Sequence, residues 1–258
     1  MIPSLTLLVV LGCCWSAAAG AAQPASSEHE RLTYKMHYGS FNAGTFRTEV
    51  LPGENGALTL KATMQTTSLY RKFFWVDNVY EAYLDAELVL RRLVKQIRQK
   101  NLSHTMDIAF DQEAGMARTA DGRTWEAPAG TRDILSLVYH LRTFPLAPKE
   151  KRTYTLDGEG LTWEVSVERI GQEEVETAAG TCRADKVLLR TKSPSSRWRA
   201  WKTDILTNRL SGMGSGVLIW FSTAGTRVPV QMLFPASPFD LRMSLERCEG
   251  ASLTGKER

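Results

Sequence analysis

The segment Leu32-Thr33-Tyr34-Lys35-Met36-His37-Tyr38 decides the fold, because apolar and polar side chains alternate along it residue by residue. Successive side chains of a β-strand point to opposite faces of the sheet. The segment therefore predicts a strand with one face toward a core and one face toward water.

The same alternation recurs in Leu58–Met64, Met106–Phe110 and Leu161–Val167. Turn-forming residues separate these segments: Pro52–Gly56, Asp121-Gly122, Asp157-Gly158 and Gly171. Short polar connections favour antiparallel neighbours. Because open sheet edges promote aggregation, we expect a mainly β protein: a single antiparallel, strongly curved sheet or an open β-barrel.

Residues 131–143 depart from this period, and their apolar side chains fall on one face of a helix: Ile134, Leu135, Leu137, Val138 and Leu141. Thr131 is suited to cap the helix, Asp133 favours its positive end, and Pro145 ends the pattern. The sequence predicts one accessory α-helix over about 131–143.

Residues 1–22 carry no charged side chain. An apolar core, Leu5–Trp15, is followed by the small residues Ser16–Ala22. This pattern is typical of a secretory signal peptide, and it is too short for a stable membrane span. We therefore expect an exported protein of the periplasm.

The signal peptide leaves two alternatives for the mature protein. Cleavage among the small residues would release a soluble chain that begins near Ala22 or Gln23. Alternatively, Val10-Leu11-Gly12-Cys13 resembles a bacterial lipobox, in which Cys13 is acylated and tethers an outer-membrane lipoprotein.

Removal of the leader leaves about 235 residues, enough for one large domain. We expect a single β domain over residues 30–249 and a disordered tail over 250–258. The formal net charge of +4 is too small to indicate nucleic acid as a partner. No later stretch approaches ~18 consecutive apolar residues, so we expect no transmembrane span in the mature chain.

Cys182 and Cys248 remain after removal of the leader, and an oxidising compartment would allow a disulfide between them. However, Leu241, Met243 and Leu245 set one face of the last strand, which places Cys248 on the opposite face. Two free thiols are therefore the alternative to a disulfide.

No arrangement of residues indicates catalysis. There is no Gly-x-Ser-x-Gly nucleophile motif, and paired carboxylates such as Glu173-Glu174 suit a solvated surface. The spacing of the histidines fits no metal site; they are His29, His37, His104 and His140. We expect a protein that is not an enzyme, with no catalytic residues, metal or cofactor.

Two segments combine cations with apolar residues. Arg91–Lys100 reads as a strand with a charged outer face or as a basic contact surface. The second segment is the candidate for contact with a membrane or a protein partner, since Trp favours the interface and cations favour phosphate; its residues are Arg197, Trp198, Arg199, Trp201 and Lys202. The alternative for it is a loop pinned by its two tryptophans.

Short motifs follow one another over about residues 30–247: Leu32-Thr33-Tyr34 with Tyr38-Gly39 and Gly44; Asp77 with Tyr83-Leu84-Asp85; Phe110-Asp111; Arg132–Ser136 with Leu141-Arg142; Gly171–Thr177 with Ala179-Gly180; and Ile219–Ser222 with Arg227–Val230. In this set the chain resembles the DUF3108 family of exported bacterial proteins, whose function is unknown. The resemblance implies an exported, β-rich domain and supplies no catalytic residues.

Two functional hypotheses follow. In the first, a curved sheet with the helix against its open side encloses a cavity for a hydrophobic or lipid ligand. Its candidate lining residues are Tyr34, Met36, Leu60, Met64, Trp163 and Trp220; the alternative is that they only fill the core. In the second, the protein is a structural or assembly factor that binds an envelope protein or a membrane surface through its basic, aromatic segments.

Overall fold

A computed structural model describes residues 29–192, 204–207, 216–236 and 238–253. This part of the chain forms fourteen strands and, apart from short helical turns, one α-helix. The strands are β1 (Glu30–Tyr38), β2 (Phe41–Pro52), β3 (Leu58–Thr66), β4 (Asp77–Leu84), β5 (Leu90–Gln99), β6 (Leu102–Asp111), β7 (Met116–Thr119), β8 (Thr124–Glu126), β9 (Lys151–Asp157), β10 (Thr162–Thr177), β11 (Gly180–Lys192), β12 (Val217–Ser222), β13 (Pro229–Phe234) and β14 (Leu241–Glu249); the helix is α1 (Ile134–Thr143).

All fourteen strands belong to one sheet, in the order β8-β7-β6-β5-β4-β3-β2-β1-β14-β13-β12-β11-β10-β9. Each strand pairs with its neighbours in antiparallel fashion. The prediction of a mainly β protein with one curved antiparallel sheet and an accessory helix is confirmed.

Strand β1 lies in the interior of the sheet, between β2 and β14. Its side chains alternate as its sequence predicts: Leu32, Tyr34 and Met36 are buried, whereas Thr33 and Lys35 are only partly so. The buried set belongs to the larger of two hydrophobic clusters, which the sheet encloses together with the inner face of α1.

Helix α1 begins later than predicted. Asp133, not Thr131, caps it: the Asp133 carboxylate accepts hydrogen bonds from the backbone N–H groups of Leu135 and Ser136, each at 3.0 Å. The Ser136 hydroxyl in turn accepts from the Asp133 N–H, which completes a capping box. The Thr131 hydroxyl instead donates to the Pro128 carbonyl at 2.6 Å, within the preceding turn.

A bulge in β14 overturns the predicted position of Cys248. Thr33 pairs with Arg247, but Tyr34 pairs with Leu245, so one extra residue is inserted between these pairs. Each such insertion reverses the facing of the residues beyond it. Cys248 therefore lies opposite the buried Leu32 and packs partly against the core.

Of the two alternatives for the cysteines, the described structure has the free thiols, at Cys182 and Cys248. Cys182 lies on β11, opposite Val175 of β10, while β14 pairs with β1 and β13. The two cysteines thus occupy strands that are not neighbours. Burial raises the pKa of the Cys248 thiol to about 11.

The two edge strands, β8 and β9, meet across a seam that side chains and an irregular segment bridge. The Trp125 indole of β8 donates a hydrogen bond to the Asp157 carboxylate of β9 at 2.9 Å. The backbone of Arg132 also pairs with β9, donating to the Thr155 carbonyl at 3.0 Å and accepting from the Asp157 N–H at 2.8 Å. These contacts cover the exposed edge of β9, which would otherwise invite pairing with another chain.

Gly44 of β2 lies where the structure leaves no room for a side chain. A Cβ atom at this position would lie 2.1 Å from the Gln65 carbonyl oxygen and 2.7 Å from the Met36 methyl group. We predict that Gly44→Ala lowers the free energy of unfolding by at least about 2 kcal/mol, because the backbone of β3 must shift. Chemical denaturation measures this change.

Gly171→Ala provides the matched control, because a Cβ atom on Gly171 of β10 would meet nothing within 4 Å. Equal stability losses for the two variants would contradict the assignment of close backbone packing to Gly44.

Candidate functional site

An apolar cavity of about 70 Å³ lies beneath α1, and we call it the helix cavity. Its walls come from α1, from strands β1–β3 and β12–β14, and from Leu206. Tyr34, Leu60 and Val138 are among its lining residues. Burial raises the pKa of Tyr34, and its hydroxyl donates to the Pro229 carbonyl at 2.8 Å.

One end of the helix cavity carries a buried ion pair. The guanidinium of Arg142 on α1 donates to both carboxylate oxygens of Glu30 on β1, at 2.6 and 2.5 Å. Its Nε also donates to the Thr226 carbonyl at 2.6 Å. This bidentate geometry fixes the helix against the start of β1, and it places a paired charge in the mostly apolar lining of the cavity.

A second apolar cavity, of about 220 Å³, lies toward the end of the barrel where β1 and β3 finish. We call it the methionine cavity, because Met36 and Met64 line it. Tyr38, Tyr70 and Phe74 contribute aromatic walls. Methionine side chains are flexible and polarisable and adapt to irregular apolar shapes.

The helical turn of residues 204–207 lies between the two cavities. Ile205 lines the methionine cavity, and Leu206 lines the helix cavity. The Asp204 side chain is fully buried and accepts hydrogen bonds from the N–H groups of Leu206 and Thr207 at 2.8 and 3.1 Å. The position of this turn therefore sets how the interior is divided.

A buried charge cluster anchors the 204–207 turn. The Lys95 ammonium lies 2.6 Å from a Glu159 carboxylate oxygen and 3.4 Å from an Asp204 oxygen, and it donates to the Thr207 hydroxyl at 3.0 Å. The Tyr80 hydroxyl donates to Asp204 at 2.9 Å. The cluster thus joins β4, β5 and the β9–β10 hairpin to the turn.

Burial and the charge of Lys95 set the pKa values of two aspartates: Asp204 in the cluster and Asp157 beside it. Burial alone would raise the pKa of Asp204, but Lys95 and the hydrogen bonds from Thr207 and Tyr80 lower it to about 2. At Asp157 burial prevails over the opposing effects of Lys95 and Trp125 and raises the pKa to about 7. Asp157 therefore changes charge near neutral pH.

Sequence reasoning missed this cluster. It placed Lys95 among the cations of the Arg91–Lys100 segment, whereas the side chain is buried between the inward-facing Leu93 and Ile97. The parity of β5 could have shown this, since residues 93, 95 and 97 share one face. Arg92, on the outer face, pairs with Asp107 of β6 at 2.6 Å.

The structure divides the predicted lining residues. Tyr34 and Leu60 line the helix cavity, and Met36 and Met64 line the methionine cavity. Trp163 is buried beside Gly158 and lines neither cavity. Trp220 also lines neither.

The indole of Trp220 donates to Glu173 at 2.5 Å, and the Lys186 ammonium lies 5.0 Å from the centre of its ring. The alternation in the sequence identifies the buried positions. It does not indicate which buried side chains line a cavity.

Several predicted features lie outside the described residues: the leader 1–22 with Cys13, and Arg197, Trp198, Arg199, Trp201 and Lys202. Residues 250–253, at the start of the predicted tail, are described. Ser252 exchanges hydrogen bonds with Thr226, and Leu253 packs against the core.

In the described part of the chain, no three His, Cys, Asp or Glu side chains are grouped as metal ligands. Within the same residues, no helix has the length and apolar character of a membrane span.

The rolled antiparallel sheet with apolar interior cavities defines an open, β-barrel-like protein. The family model for proteins of unknown function designated DUF3108 matches residues 33–244. The chain therefore belongs to the DUF3108 family, as its motifs predict. No curated protein matches the sequence.

Three solved structures resemble the chain to different degrees. A β-barrel-like DUF1849 protein from Brucella abortus aligns with a TM-score of 0.59 at 13% identity, covering 87% of this chain and 98% of the other. A DUF1089 protein from Pseudomonas aeruginosa aligns at 0.36 and 10% identity, covering 87% and 95%. A protein described as exported, with a YmcC-like fold, from Bacteroides fragilis aligns at 0.31 and 13% identity, covering 85% and 95%. The first similarity shows a common fold.

Asp157 makes stability depend on pH. The unfolded carboxyl loses its proton near pH 4, and the folded one near pH 7. Stability contributed by the protonated carboxyl is therefore lost as pH rises through this window. Asp157→Asn keeps an acceptor for Trp125 but does not titrate. We predict that the free energy of unfolding of this variant, relative to that of the wild type, is about 2 kcal/mol higher at pH 8 than at pH 5.

Urea denaturation of both proteins at the two pH values provides the measurement, and any pH-independent cost of the substitution cancels in the comparison. An unchanged stability difference at pH 5 and pH 8 would show that Asp157 does not titrate in this window.

Proposed function

We propose that this protein is a non-enzymatic, exported protein of the cell envelope that binds a hydrophobic ligand inside its open barrel. The observation that carries the proposal is the methionine cavity: about 220 Å³ of space with a mostly apolar lining, larger than the helix cavity. Apolar surface that faces this space would gain free energy by burial against an apolar ligand.

The shape and lining of the cavity favour one class of ligand. Drug-sized ligands occupy about 300–1,000 Å³, so a volume of about 220 Å³ suits a single acyl chain or a similarly slender apolar group. The polar groups of the lining side chains are the hydroxyls of Tyr38, Tyr70 and Thr66, and the Thr66 hydroxyl is engaged with the backbone of Val76. Affinity would therefore come from apolar burial, about 0.8 kcal/mol per methylene.

The buried titratable groups support a non-enzymatic role. Lys95, Glu159 and Asp204 satisfy one another in ion pairs, and Arg142 is held by both oxygens of Glu30. Catalysis requires a nucleophile or a proton-transfer group that faces bound substrate. In the described residues these groups instead tie strands, turn and helix together.

The charge-free leader supports export. Both ways of processing it, cleavage near Ala22 or acylation of Cys13, are alternatives for the mature protein. Mass analysis of the mature protein distinguishes them. A free N-terminus near Ala22 or Gln23 identifies the soluble form, and an acylated Cys13 identifies the lipoprotein.

Ala43→Leu tests whether the methionine cavity is the binding site. Ala43 is buried on β2 and borders the cavity, so a larger side chain would occupy space that the ligand needs. Exclusion of two methylenes corresponds to a loss of about 1.6 kcal/mol. We predict at least about a tenfold weaker affinity for a fluorescent fatty acid, measured by titration.

Ala109→Leu is the matched control, because Ala109 lies on the exposed face of β6. Equal affinities for the wild type and both variants would place the binding site elsewhere.

A further inference from the structure

Four large apolar side chains are exposed at one end of the barrel. Phe41, Leu69, Phe73 and Phe239 have 64, 67, 69 and 49% of their surfaces exposed. We call them the aromatic rim. Among the described residues, only Met116, Phe144 and Ile170 are other large hydrophobic side chains with comparable exposure.

The register of the sheet shows that the rim residues share one end. Phe41 opens β2 directly after the β1 turn, and Leu69 and Phe73 lie in the connection between β3 and β4. Phe239 precedes β14, whose first residue Leu241 pairs with Tyr38 at the end of β1. Antiparallel pairing places all three connections at the same end of their strands.

Tyr38 links the rim to the interior. Its ring contacts Phe239 edge-on, with ring centres 5.7 Å apart, and Tyr70 at 6.5 Å. Tyr38 and Tyr70 also line the methionine cavity. The exposed apolar surface and the empty apolar space therefore share walls.

Cations accompany the rim. Arg71 and Lys72 are exposed between Leu69 and Phe73, and the Lys100 ammonium donates to the Phe73 carbonyl at 3.1 Å. Two acids lie nearby: Asp77 accepts from the Gln65 amide at 2.9 Å, and Asp240 accepts from the Ala236 N–H at 3.3 Å. Their donors are neutral, so both carboxylates keep their charge, and the three cations leave the surface with projecting apolar groups and a small excess of positive charge.

We infer that the aromatic rim docks on an anionic phospholipid surface. Separate apolar side chains projecting from three loops can enter the headgroup region of a bilayer, where aromatic residues are favoured, while cations beside them meet lipid phosphates. Docking would set the methionine cavity facing the lipid. The inference does not depend on ligand binding, since a protein with an empty cavity could dock in the same way.

Vesicle flotation tests the inference. The mature protein is mixed with vesicles of phosphatidylcholine alone or with phosphatidylglycerol. The form of the chain that begins at Gln23 is used, because it lacks Cys13 and therefore carries no lipid anchor. We expect the wild type to float with anionic vesicles, and Arg71→Glu with Lys72→Glu to reduce that binding at least about tenfold.

The apolar contribution is tested by Leu69→Ser with Phe73→Ser, for which we expect a comparable loss. Phe73→Trp keeps an aromatic side chain that the headgroup region favours, so this variant should retain binding. If the double variant does not fold, loss of binding by Phe73→Trp would contradict the inference. Matched controls are Ile170→Ser for apolar loss and Arg118→Glu with Lys151→Glu for charge; each should float like the wild type.

Three results would overturn the inference. One is a wild type that binds both kinds of vesicle equally or not at all, and another is unchanged flotation of both rim variants. The third is sedimentation showing that the wild type self-associates through the rim, with no vesicle binding, which would identify a second copy of the chain as its partner. Fatty-acid affinity measured without vesicles reports separately on the proposed ligand site.

Discussion

The constraint on which the rest of this structure depends is the protection of two sheet edges. Fourteen antiparallel strands curl until β8 and β9 face each other. Trp125 and Asp157 bridge the gap, and the backbone of Arg132 covers the edge of β9. No continuous row of backbone hydrogen bonds joins β8 to β9. Because only side chains and an irregular segment bridge this gap, the barrel stays open and its interior is incompletely filled.

The interior is organised by charge. Lys95 holds the carboxylates of Glu159 and Asp204 where water is scarce, and breaking one member of such a buried group costs about 3–5 kcal/mol. Through Asp204 this cluster fixes the 204–207 turn, whose Ile205 and Leu206 side chains separate two apolar cavities. Electrostatic pairing inside the barrel therefore positions the turn that separates the two cavities.

The sequence predicts this architecture well where local periodicity decides it. Alternation identifies β1 and its buried face, and the apolar stripe identifies α1. It fails where a single inserted residue matters, because the bulge in β14 reverses the facing of Cys248. It also fails for Lys95: residue type favours the surface, and only partners distant in sequence make burial of a charge tolerable. The borders of a cavity likewise depend on contacts between residues that are distant in sequence. Alternation therefore selects Trp163 and Trp220, which line neither cavity, together with residues that do.

Native mass spectrometry of the protein purified from its own envelope, without detergent exchange, tests whether the apolar interior holds a ligand in the cell. We predict an added mass that organic solvent releases as a hydrophobic compound with a single chain. A protein that is consistently recovered at its bare polypeptide mass, allowing for any lipid at Cys13, would contradict it.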